Sequence, residues 1–61
     1  MKEPEPSIAA RCILLRTQSK RGIRLHPDDQ KFVEKIWKKY NEWYRATEKD
    51  VFEAAKPFGY V

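Results

Sequence analysis

Five basic side chains, Arg11, Arg16, Lys20, Arg21 and Arg24, fall in a stretch with no acidic residue between Pro6 and Pro27. Cations gathered in this way displace counterions from phosphate, and an arginine can fork onto a phosphate or a guanine edge. The window therefore points to nucleic acid, DNA or RNA, as the partner and to these five residues as its contacts. The competing reading is an ordinary solvated basic face. Over the whole chain 13 Lys+Arg stand against 9 Asp+Glu, net +4, so the excess is concentrated here.

A second set of residues is apolar. Phe32, Trp37, Tyr40, Trp43 and Tyr44 are five large aromatics at helical spacing, and each buries 150–250 Å² when covered, roughly 750–1,250 Å² in all. A short chain has little to cover them with. Most should form core, and the Trp43/Tyr44 end, with the C-terminal Phe58 and Tyr60, is the expected partner interface, either a homodimer seam or a docking surface for another protein.

Other chemistry is excluded by composition. One His and one Cys cannot supply the three or four ligands of a metal site, and His26, Asp28 and Asp29 are better explained as helix-start residues. Cys12 with His26 lacks the orienting third group of a thiol dyad. The two glycines, Gly22 and Gly59, are too far apart for a phosphate-cradling loop. A chain of 61 residues buries only about 60% of its unfolded surface, too little for a large catalytic cleft. The expectation is a non-enzymatic binding protein without cofactor or metal.

The lone Cys cannot form an internal disulfide, which fits a reducing compartment. The start, MKEPEPS, has acids and prolines where a secretory signal has a basic region and an apolar run. The longest nearly apolar run, Ile8 to Leu15, is broken by Arg11 and falls short of the roughly 20 residues that cross a bilayer. A cytoplasmic location away from membranes is expected.

The elements that position these groups follow from patterning. Residues 1–6 read as a flexible tail, with Pro4 and Pro6 opposing helix, and residues 7–61 as one small, mainly α domain. The first element, about 8–20, is ambiguous, because its apolar residues run all the way round a helix yet do not alternate as in a strand. Ser7 as N-cap and Gly22 as stop favour helix; Ile13 to Leu15 and the Gly22 turn would suit a short hairpin with Ile23 to Leu25. The next is clear: Pro27 at the first helical position and Asp28 and Asp29 in the first turn begin a helix. Phe32, Val33, Ile36, Trp37, Tyr40, Trp43 and Tyr44 then keep to an arc of about 140°, predicting one long amphipathic helix over about 27–45. Lys31, Glu34, Lys35, Lys38, Lys39, Glu42 and Arg45 fill the other face. Thr47 is the expected N-cap of a short helix over about 47–56, which must end before Pro57.

Residues 23–29 (IRLHPDD), a helix, and then residues 46–55 (ATEKDVFEAA) loosely resemble the ribbon-helix-helix repressors. In that family a short strand ending in an Arg-Leu type pair precedes two helices, the chain dimerises, and the paired strands enter the major groove. The resemblance covers roughly residues 22–56 and implies DNA contacts around Lys20 and Arg24. This chain differs in a longer first helix with two tryptophans and in an apolar segment upstream of the strand position. The two functional readings are a small DNA- or RNA-binding regulator and a protein-docking adaptor or inhibitor.

Overall fold

Proline at the first position of a helix costs no hydrogen bond, because the N–H it lacks would have no partner there. Helix α1, Pro6–Lys20, begins in this way, two residues earlier than expected. Pro6, expected to oppose helix, is its first residue, and Ser7 lies inside the first turn instead of capping it. The ambiguity between helix and hairpin is thereby settled as helix. The computed structural model describes residues 2–59, and every regular element in that range is helical.

Helix α1 ends in a left-handed glycine. Gly22 has φ +84°; its N–H donates to the Ser19 carbonyl and the Ile23 N–H to the Gln18 carbonyl, both at 3.0 Å. This pair of bonds is the Schellman motif, which needs a residue that adopts positive φ without strain. Residues 23–26 then cross to helix α2, Pro27–Lys39, with no strand pairing among the described residues. The ribbon of the family resemblance is thus not formed within the chain. His26 caps α2, its Nδ1 accepting from the Asp28 N–H at 3.1 Å, and Asp28 and Asp29 lie in the first turn as the sequence leads one to expect.

The long helix over 27–45 is not continuous. Tyr40 leaves helical geometry at φ −123°, ψ 52°, and helix α3, Asn41–Glu48, starts anew. The reason is coverage. A straight 19-residue helix would run about 28 Å, whereas α1 with its 15 residues spans only about 22 Å, so the aromatic end would overhang its cover. The turn at Tyr40 folds that end back, and Trp43 becomes a core residue.

Thr47 is not an N-cap. It lies within α3, where its hydroxyl sits 3.0 Å from the Trp43 and Tyr44 carbonyls and receives a hydrogen bond from Arg16 at 2.7 Å. Asp50, whose carboxylate has no competing partner in the helix backbone, does the capping: its Oδ1 accepts from the Glu53 N–H at 3.1 Å. Helix α4, Val51–Ala55, is therefore shorter than the 47–56 expected, and it continues as a single 3-10 turn, Lys56–Phe58, through Pro57.

Helix α1 packs against both α2 and α4, and α3 joins those two. An element flanked on two sides needs apolar residues on two sides, which explains its missing periodicity. Ala9, Cys12 and Ile13 of α1 meet Ile36, Trp43 and Ala55 in the core, with Phe32, Tyr40, Tyr44 and Phe58 packed around them. Among the described residues no helix is long and apolar enough to cross a membrane.

Candidate nucleic-acid interface

The basic window does not form one surface. Arg16, one of its five cations, is only 5% exposed. Its guanidinium lies 3.8 Å from the centre of the Tyr44 ring and donates to Thr47 Oγ1 and, at 3.2 Å, to the Tyr44 carbonyl. No carboxylate lies within ion-pair distance of it among the described residues. Hydrogen bonds and the ring quadrupole therefore stabilise this buried charge in place of a counter-ion. Arg16 joins α1 to α3 and is not available to a phosphate.

Arg11 is exposed but engaged. It pairs with Asp29 of α2 at 3.3 Å and lies 4.5 Å from the centre of the Phe32 ring. Lys20, Arg21 and Arg24 stay in solvent around the α1 terminus, Arg21 at 5.6 Å from the Phe52 ring centre. Two of the five expected contacts thus are held by internal hydrogen bonds or an ion pair, and the other three are exposed without one.

A second basic surface lies on the polar face of α2. Lys31, Lys35, Lys38 and Lys39 line an open concavity of about 480 Å³ on the outer side of α2, with Glu34 as its acid. Spacings of four and three residues place Lys31, Lys35 and Lys38 on one stripe. None of the four is ion-paired among the described residues. The spacing was visible in the sequence; what was missing was any sign that carboxylates would not fold over to neutralise it.

The aromatic interface shifts as well. Trp43 is 7% exposed and belongs to the core, Tyr44 and Phe58 are half-buried, and Tyr60 lies outside the described residues. The solvent-facing apolar side chains are instead Trp37, Phe52 and Ile23. Trp37 packs on Tyr44, ring centres 5.9 Å apart and tilted by 39°. A concavity of about 380 Å³ elsewhere is lined chiefly by Pro4, Pro6, Trp43, Pro57 and Phe58; it has apolar walls and no grouping of catalytic side chains.

Cys12, Tyr44 and His26 are engaged in the fold. Burial pushes the Cys12 thiol above its ordinary value, with the Arg16 charge pulling the other way, and the same two influences leave the Tyr44 phenol raised. Such a thiol is protonated and inert. His26 caps a helix, and no group of three or more potential metal ligands occurs among the described residues. Comparison of the chain with protein families, with curated proteins and with solved structures produced no match in any of the three.

Proposed function

We propose that the protein is a small, non-enzymatic nucleic-acid-binding protein, with Lys20, Arg21 and Arg24 at the end of α1 and Lys31, Lys35, Lys38 and Lys39 along α2 as its phosphate contacts. One observation carries this reading: all seven cations are exposed and none has a carboxylate within ion-pair distance among the described residues. Unneutralised cations on a folded surface supply the electrostatic part of nucleic-acid affinity, each phosphate contact releasing counterions. A regulatory role for such binding is part of the same proposal.

Salt titration tests it. Binding to duplex DNA, followed by anisotropy of a labelled oligonucleotide, should weaken with salt at a log–log slope no steeper than about −6 per protomer. Changing Lys31, Lys35 and Lys38 together to Gln should flatten the slope, whereas changing Arg16 should not alter it in a variant that remains folded. A protein that binds neither duplex nor single strand at low salt overturns the proposal.

A second reading is favoured by the exposure of Trp37 and Phe52 together with Ile23: docking to a protein, including a second copy of this chain. Large exposed aromatics are common anchors of such contacts. It predicts a partner lost on Trp37→Ala but retained when the lysines change, and for a homodimer a sedimentation mass that rises with concentration.

A further inference from the structure

We infer that Trp37 is a stacking platform for an unpaired base, and hence that the nucleic acid bound is single-stranded; this rests on the nucleic-acid reading above and narrows it. Three observations converge on the indole. Trp37 is 44% exposed, and an exposed indole can stack on an unpaired base. It is also braced from within. Tyr44 packs against it, the Arg16 guanidinium lies on Tyr44, and Thr47 and the Tyr44 carbonyl hold that guanidinium.

The turn at Tyr40 lies between the two rings, whose centres are 5.9 Å apart. The buried cation thus acts indirectly, as a positioning residue that orients the indole through Tyr44. A platform ordered before binding loses little entropy when a base lands on it.

Charge completes the argument. Gln30 and Val33, seven and four residues before Trp37 and so on its face of α2, line a concavity with Arg24; the concavity of Lys31, Lys35, Lys38 and Lys39 lies further round the same helix. Glu34 lines both and is the opposing charge. An exposed aromatic with Arg24 beside its face and lysines further round the helix suits a strand whose bases are free to stack while its phosphates run on to the cations. Bases within a duplex are already stacked on one another and present no open face.

The test uses the intact protein with labelled oligo-dT, oligo-U and a duplex of the same length at low salt. Single strands should bind more tightly than duplex, and the dT and U arms decide whether DNA, RNA or both are accepted. Trp37→Ala should lower single-strand affinity by about tenfold or more and leave duplex affinity and the far-UV circular dichroism unchanged, while Trp37→Phe should restore part of the loss. Independently of any variant, single strands should quench tryptophan emission from the unmodified protein, since Trp37 is accessible and Trp43 is buried. Equal loss of single-strand and duplex affinity in Trp37→Ala, or an emission spectrum unmoved by saturating oligo-dT and oligo-U, overturns the platform and leaves the basic-surface proposal standing. Absence of binding to every probe defeats both.

Discussion

Helices α1 and α2 are both rich in cations, yet they use them differently. Helix α1 is flanked by α2 and α4, and its middle cation, Arg16, is drawn into the interior to hold Tyr44 and Thr47. Helix α2 turns only one face inward, with Ile36 its one buried residue, and leaves four lysines in solvent. The difference teaches that the task of an arginine or lysine depends on how many sides of its helix are covered, a tertiary property that charge counting along the chain does not see. A cation on the covered side of a helix joins elements, as Arg16 does; one on the open side stays in solvent, as the α2 lysines do.

The comparison can be broken most severely at the centre of α1. Ile13→Asp puts an unpaired carboxylate where the side chain is fully buried, at a cost of several kcal/mol, which exceeds or matches the whole stability of so small a domain. Loss of the helical circular dichroism signal is expected, whereas Lys35→Asp on α2 should keep it. If the two variants melt alike, the contrast between the helices is wrong.

Arg16 sharpens the point. Arg16→Ala removes packing and two hydrogen bonds and should cost about 2–4 kcal/mol in urea denaturation. Arg16→Met keeps most of the volume and removes the buried charge, so it should stay within about 1 kcal/mol of the parent. Equal losses in both variants would mean that the charge, and not the stem, does the joining.

At the link between the two helices, Gly22→Ala should cost about 1 kcal/mol from the left-handed backbone, since no atom lies within 4 Å of the added methyl. A melting temperature equal to the parent's would show that the Schellman turn can relax at no cost.

A gentler effect appears with alkali. The Cys12 thiol and the Tyr44 phenol have folded-state values raised by burial, so the unfolded chain releases those protons first. Their contribution is complete below the unfolded thiol value of about 8.5 and is lost as pH rises through the raised folded values. Urea midpoints should therefore fall above about pH 8.5, and Cys12→Ala should make that fall shallower. The smallest effect belongs to α2: Lys35→Gln should change stability by less than about 0.5 kcal/mol while weakening nucleic-acid binding.

The start of α2 was legible because Pro27, Asp28, Asp29 and a one-sided apolar arc all agree there. Helix α1 was only half legible, since a helix covered on two sides loses the periodicity that identifies one. The turn at Tyr40 left no signal: neither Gly nor Pro stands there, and it arises from the length of α1, a property of another element. Thr47 was expected to cap the last helix, and what holds it inside α3 instead is the Arg16 hydrogen bond, a contact 31 residues apart in sequence. The three free cations Lys20, Arg21 and Arg24 were named from the chain alone, while Arg16 and Arg11 were lost to internal partners that only folding reveals.

The turn at Tyr40 also divides the chain in time. Helix α3 starts without a side-chain cap, so the ladder of amides is interrupted between Lys39 and Asn41, and cooperativity weakens at such an interruption. The first turn of α3 can then open while α4 stays packed on α1. Amide hydrogens should accordingly exchange with solvent in two classes, with those of Asn41, Glu42 and Trp43 exchanging faster than those of α2 and the boundary between the classes falling at Tyr40.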